Sequence, residues 1–283
     1  AKSSWYIRTT ARKDRMVSAN AEINWNPSHV RDGRFGEWLR NNVDWAISRE
    51  RFWGTPSPLW ECRNCGHNRC VGSVAELKEL ALLQSGHWDD QLDLHRPYVD
   101  TISIPCPKCS GEMWRIPEVM DAWFDSGIMP FAQWHVPHDI TINQLCVEGR
   151  FPADYICEAV DQTRGWFYSL HSISVLLTDQ PSYRNVICLG HILDQHGHKM
   201  SKHVGNGVEP WGVLDAHGAD AIRWYLFTAG QPGDSRRFSS ALVSDVVRRF
   251  LLTLWNVYSF FTNYATIDKF EPEQIPVGWQ PQS

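Results

Sequence analysis

Two lysines three residues apart, Lys199 and Lys202, stand in the segment Gly197-His198-Lys199-Met200-Ser201-Lys202-His203-Val204-Gly205-Asn206-Gly207. Glycines bracket it, so it reads as a mobile loop carrying two ammonium groups. A lysine is a point charge on a flexible stem, which suits a polyphosphate. Its contribution there is electrostatic, because phosphoryl and nucleotidyl transfer rest on positioning and charge stabilisation. An isolated Lys-x-x-Lys is more simply a solvated surface loop. Here the preceding residues 185–193 read as a buried strand. That puts the lysines after a strand end, where open α/β sheets bind ligands.

A second group of polar residues lies in Asp154-Tyr155-Ile156-Cys157-Glu158-Ala159-Val160-Asp161-Gln162-Thr163-Arg164-Gly165-Trp166-Phe167. Glu158, Asp161 and Gln162 fall where a strand becomes a helix. Carboxylates there can accept from ribose hydroxyls or cap the helix, and spacing alone does not choose. Gln162 both donates and accepts, which suits an aminoacyl group.

Four of the eight cysteines form two Cys-x-x-Cys pairs, Cys62/Cys65 and Cys106/Cys109, each followed closely by glycine. Two such turns can offer four thiolates in a tetrahedron, the arrangement of a closed structural zinc site. His67, Cys70 and His87 are rival ligands. Paired knuckles point to metal in a reducing compartment rather than to secreted disulfides.

The elements that must position these groups follow an α/β pattern between 150 and 230. Residues 153–158 and 186–192 read as strands, and 162–177 and 219–227 as helices, the last capped by Asp215 or Asp220. Residues 62–109 form a cysteine-bounded insert with a helical run at 74–83. A stretch at 36–49 is helical in part, and 242–264 reads as one long amphipathic helix suited to a bundle. At 283 residues the chain can hold a large core and more than one domain. Its charge of −5 argues against a non-specific nucleic-acid binder, while Arg8, Arg12, Lys13 and Arg15 still form a local basic patch. There is no apolar run of membrane-spanning length and no secretory signal, and the expected setting is the cytoplasm.

Lys199-Met200-Ser201-Lys202 resembles the second signature loop of class I aminoacyl-tRNA synthetases, with His203 where the usual final serine would stand. Asp161-Gln162-x-Arg164-Gly165-Trp166-Phe167 narrows the resemblance to the isoleucyl family. The runs 44–54 and 120–127 agree with it, and the likeness covers essentially the whole chain. It implies ATP-dependent activation of isoleucine, by attack of its carboxylate on the α-phosphorus, and transfer to tRNA. Magnesium would accompany the ATP. It also implies roles. Glu158 and Asp161 would contact the adenylate, chiefly its ribose; Gln162 would sit near the aminoacyl group; Lys199 and Lys202 would bind phosphates. Trp123 and Trp166 would wall the amino-acid pocket, with core packing as the plain alternative for both.

The implied fold is the second half of a Rossmann-type α/β catalytic domain with a zinc-knuckle insertion and the start of a helical anticodon-binding bundle. Residues 1–60 would be the return from an editing insert, 61–115 the knuckle insertion, 116–230 the Rossmann-type half and 231–283 the bundle. The first signature, of His-x-Gly-His character, does not occur in the sequence. The expectation is therefore part of a larger synthetase, inactive or nearly so without the rest. A zinc-bearing tRNA-binding module, or a class I synthetase for another aliphatic amino acid such as valine, are the rival readings.

Overall fold

A computed structural model describes residues 4–82, 88–201 and 203–271. The chain divides into two compact units, Ala1–Cys188 and Leu189–Ser283.

In the first unit, strands Ile156–Ala159, Asn185–Leu189 and Asn24–Asn26 form a sheet in that order. The central strand runs parallel to Asn24–Asn26, with Val186 opposite Trp25. Parallel strands need apolar cover. Helices Lys13–Ala21, Gly36–Arg40 and Trp166–Thr178 supply it. Met16, Phe35, Leu39, Phe167, Leu170 and Val175 pack with Trp25, Val186 and Cys188 in one buried cluster.

The expected helix at 162–177 is two elements. A 3-10 turn, Val160–Arg164, is followed by the α-helix Trp166–Thr178. That helix is buried at every position from Phe167 to Val175, so it is not an amphipathic surface helix. Its small residues let a second helix, Ala122–Ala132, approach closely. A Cβ on Gly127 would lie 2.9 Å from atoms of Ser169 and Ile173. Some of the buried polar groups find partners: Ser174 Oγ donates to the Gln180 carbonyl at 2.7 Å and Tyr183 Oη to the Phe167 carbonyl at 3.0 Å, whereas Ser172 Oγ is buried without one.

Residues between and flanking the two knuckles build their own antiparallel sheet, in the order Asn68–Cys70, Leu59–Cys62, Glu112–Arg115, Ser103–Pro105. Trp60, Ile102, Ile104 and Met113 fill its core. The helix predicted at 74–83 is Val74–Leu80, N-capped by Ser73, whose Oγ accepts from the Glu76 amide at 3.1 Å. Leu83 lies outside the described residues.

In the second unit the predicted strand 186–192 is interrupted. Asn185–Leu189 ends, and Ile192–Leu193 pairs in parallel with Arg236–Arg237. The break falls at Gly190, where a Cβ would lie 2.3 Å from the Asp234 backbone. Helices Pro210–His217, Ala219–Thr228 and Ser240–Val246 pack around Val213, Ala221, Tyr225 and Val243. Gly218 occupies the N-cap of Ala219–Thr228 without a side-chain cap, so neither Asp215 nor Asp220 caps it; Asp220 lies in the first turn, where a carboxylate suits the helix dipole. The helix expected at 242–264 runs from Ser240 through a π-helical turn, Val247–Leu251, to Ile267. No residue of Leu252–Ile267 is buried, and Trp255, Tyr258 and Phe261 are exposed. Among the described residues no helix is long and apolar enough to cross a membrane.

His171 lies fully inside the first unit, its Nε2 donating to the Met16 carbonyl at 2.8 Å. Burial holds this imidazole down at about 4, so it is neutral in the fold. The unfolded chain takes up that proton near pH 6.5, so stability is full above that pH and falls as pH drops toward 4. The loss reaches about 3 kcal/mol. His171→Gln is expected to flatten the dependence of the urea midpoint between pH 7 and pH 4.5. An unchanged slope would show that other groups carry it.

Candidate active site and a four-thiol cluster

The strand Ile156–Ala159 carries Glu158 one residue before its end, with the side chain exposed, and the 3-10 turn that follows places Asp161 and Gln162. Gln162 is tied on both sides. Its Nε2 donates to Asp161 Oδ2 at 3.0 Å, and its Oε1 accepts from the Trp166 amide at 2.9 Å. The amide bond caps the start of the Trp166–Thr178 helix and fixes the rotamer of Gln162. Below the turn, Thr163 is fully buried; its Oγ donates to the Val160 carbonyl at 2.7 Å and accepts from Arg34 Nε at 2.9 Å.

Trp166 Nε1 donates to the Ser126 carbonyl at 3.1 Å, which joins this turn to the Ala122–Ala132 helix. Trp123, in the first turn of that helix, is 44% exposed. Its ring edge faces Gly165: a Cβ on Gly165 would meet Trp123 Cη2 at 3.0 Å and Gln162 Oε1 at 2.7 Å. So Trp123, Asp161, Gln162, Gly165 and Trp166 form one group. An exposed indole face beside a polar turn can receive an apolar side chain, while Asp161 and Glu158 offer acceptors for hydroxyls.

Asp121 holds the Ala122–Ala132 helix in place. Its carboxylate is buried, pairs with Arg49 Nη2 at 2.6 Å, accepts from Trp45 Nε1 at 3.1 Å and caps the Trp123 amide at 3.3 Å. Sequence reading passed over Asp121 and Gly165. An aspartate directly before an apolar helical run is a usable N-cap signal. Gly165 carries no such sign, because the need for a bare Cα arises only when Trp123 arrives from elsewhere in the chain.

In the second unit Lys199 lies just past a hairpin closed by an antiparallel bridge between Leu193 and Lys199. Its side chain is exposed. Lys202 lies outside the described residues. The predicted position beyond a strand end holds in a narrow sense, since the strand is the short Ile192–Leu193.

The two knuckles are built alike. The amide of Gly66 donates to the Cys62 carbonyl at 2.9 Å, and that of Ser110 to the Cys106 carbonyl at 3.0 Å. Gly66 and Ser110 both take positive φ, 68° and 56°. The left-handed position in the second knuckle is thus Ser110 rather than Gly111. Gly111 serves for space, since a Cβ there would meet Asn64 Nδ2 at 2.5 Å. The Sγ atoms of Cys62, Cys65, Cys106 and Cys109 all lie within 4.8 Å of one another. Amide donors, first that of Cys65, bring the Cys62 thiol down to about 6. Four convergent thiols with donors aimed at them can hold a soft tetrahedral ion. Among the described residues His67 and Cys70 stand outside this group, and His87 is not described.

A family model described as tRNA synthetases class I (I, L, M and V) matches residues 1–238, and the chain belongs to that family. Within it the chain is similar to proteins named isoleucine--tRNA ligase. That of Dehalococcoides mccartyi is 58% identical over 274 residues, 97% of this chain and 27% of the relative. Those of Clostridium novyi and Thermobifida fusca are each 53% identical, over 96% and 99% of this chain and 25% and 26% of theirs. The chain therefore spans about a quarter of the length of the curated relatives it matches. Among solved structures, the LeuRS of Agrobacterium radiobacter K84, in a ternary LeuRS-tRNA-LeuAMS complex, matches with TM-score 0.59 and 23% identity. The match covers 83% of this chain and 31% of that one, and shows a shared α/β fold.

Gly165→Ala is expected to destabilise the first unit by about 1–3 kcal/mol, because the methyl group overlaps Trp123 and Gln162. Adding Trp123→Leu removes one of those overlaps and should restore part of the urea midpoint. A double variant no better than the single would break the link between these residues.

Proposed function

We propose that this chain is part of an isoleucine–tRNA ligase, supplying the half of the catalytic domain that binds the adenylate and the phosphates. The observation that carries this reading is the identity of 58% and 53% to relatives of that name over nearly the whole chain. Glu158 and Asp161 accept from the ribose. Gln162 lies beside the aminoacyl group, and Trp123 and Trp166 wall the isoleucine side chain. Lys199 and Lys202 neutralise the ATP phosphates as charge moves onto pyrophosphate. Magnesium comes with the ATP, and the product adenylate is passed to tRNA. No protein nucleophile is needed, so these residues act by position and charge.

The exposed apolar side chains of Leu252–Ile267 support the reading of this helix as the start of a helical anticodon-binding domain, within the segment 231–283. The segments 1–60, 61–115 and 116–230 take the parts of editing-insert return, knuckle insertion and Rossmann-type half. A chain with this much free thiol fits a reducing compartment such as the cytoplasm. On this reading the first ATP signature comes from elsewhere in the parent enzyme, and the chain alone does not activate isoleucine.

Isoleucine-dependent ATP–pyrophosphate exchange tests this. The chain alone should be silent, and mixing it with the separately expressed remainder should restore exchange. Lys199→Ala in the mixture should then lose about 100-fold. Full activity of the chain alone would refute the division of labour. A folded mixture without exchange would favour a tRNA-binding module instead.

The four thiols are proposed to hold structural zinc, with no open coordination position for catalysis. Elemental analysis should find about one zinc per chain, lost in Cys62→Ser and Cys106→Ser. A strong chelator should unfold the Leu59–Arg115 sheet, seen as faster amide exchange at Trp60 and Met113, since site formation and folding are coupled. Exchange unchanged by the chelator would show that the sheet stands without metal.

A further inference from the structure

Asp194 is nearly buried, at 8% exposure, yet it is a carboxylate in the turn that leads to the lysines. Its Oδ1 accepts from the amides of His196 at 2.9 Å and His198 at 2.8 Å. Its own amide donates to the His198 carbonyl at 2.8 Å, and its carbonyl accepts from Gly197 at 3.0 Å. This closes a turn in which Gly197 takes φ 89°. The other oxygen, Oδ2, accepts from Asn206 Nδ2 at 2.9 Å.

Asn206 comes from the far side of the lysine segment. Besides Asp194, its Nδ2 donates to the Lys199 carbonyl at 3.2 Å, and its Oδ1 accepts from the Ser201 amide at 2.9 Å. One amide side chain thus joins the entry of the loop, the backbone of Lys199 and the residue that follows Met200. The hub holds Lys199 only by its carbonyl, so the exposed ammonium stays available. Asp194 has donors for both oxygens, which bring its carboxyl down to about 2, first because of Asn206.

We propose that Asp194 and Asn206 are positioning residues for the reaction: a carboxylate–amide latch that ties residues 194–201 to Asn206 and sets where the Lys199 ammonium meets the polyphosphate. This rests on the assignment of Lys199 to ATP phosphates made above. The bonds of Asp194 to His196 and His198 are local and re-form with the turn. The Asn206 bonds span the loop, so they are the ones whose loss lets it open. A lysine delivers transition-state stabilisation only from a defined place, and a shift of about 1 Å can cost about 100-fold.

The chemistry of the pair gives a test that a merely structural role would fail. Asn206→Asp sets carboxylate against carboxylate, and Asp194→Asn sets an amide where either rotamer leaves two donors or two acceptors face to face. The exchange Asp194→Asn with Asn206→Asp restores the donor–acceptor match, except for the bond to the Lys199 carbonyl. Two measurements are made on each variant. In this chain, amide exchange is followed at His198 and Ser201. In the complete ligase containing it, kcat and KM are read from isoleucine-dependent ATP–pyrophosphate exchange.

Each single variant should speed amide exchange at least about tenfold and lower kcat by about 10- to 100-fold, with KM for isoleucine held within about twofold. The double variant should recover part of both. Wild-type amide exchange in Asn206→Asp overturns the latch, and so does an unchanged kcat in an active ligase. Equal losses in the singles and the double would reduce the pair to general stability and also overturn it. A wild-type ligase without isoleucine-dependent exchange would sink the functional reading, while the amide-exchange arm would still decide the latch.

Discussion

The first unit depends on the burial of one helix. Trp166–Thr178 is covered at nine successive positions, from Phe167 to Val175, so every polar group inside it needs a partner. The sequence meets most of this with small or bonded residues, although Ser172 Oγ and His171 Nδ1 are buried without a hydrogen-bond partner. Serines turn back onto nearby carbonyls, Tyr168 Oη donates to Asn42 Oδ1 at 2.7 Å, and His171 stays neutral against Met16. Each buried large apolar side chain contributes about 1.5–3 kcal/mol. Together they make the position of this helix the least adjustable quantity in the unit. Its N-terminus carries Trp166 and the amide that fixes Gln162, so the site inherits that rigidity. A site built on an over-determined element holds its geometry better than one built on a free loop.

Asp121 extends the same logic to the other wall. Trp123 is exposed and would be free to turn, but the helix that carries it is pinned at its start by a buried carboxylate with three partners. Gly165 then sets how near the indole can come. The position of Trp123 is thus defined by a cap and by an absent methyl group.

Much of this was legible in the residues, and the rest was not, for a consistent reason. Signals that lie within a few residues could be read: the Cys-x-x-Cys knuckles, the apolar strand through Val186 and Cys188, the long helical run before Ile267, and the Asp161 to Phe167 stretch. What escaped depends on distant parts of the chain meeting. The strand at 186–192 breaks at Gly190, where the Asp234 backbone leaves no room for a Cβ, and nothing local to Gly190 says so. Gly165 needs Trp123, and Asp194 needs Asn206, twelve residues on. The helix at 162–177 started late because Gln162 closes a 3-10 turn before the α-helix begins, a choice made by its side chain rather than by apolar period.

Asp121 and Asp194 on one side and Lys199 on the other are handled in opposite ways. Carboxylates that organise structure, Asp121 and Asp194, are buried and saturated with donors, so their charge is spent inside the protein. The Lys199 side chain is left exposed, while its backbone is held by the bridge to Leu193 and, through its carbonyl, by the Asn206 amide. An ammonium that paired with a neighbouring carboxylate would lose much of its pull on an incoming anion. It would also have to break that pair in each turnover. Fixing the backbone and sparing the side chain avoids both costs. On the role proposed for Lys199, the saturated aspartate beneath the loop gives a lysine a defined place without neutralising it.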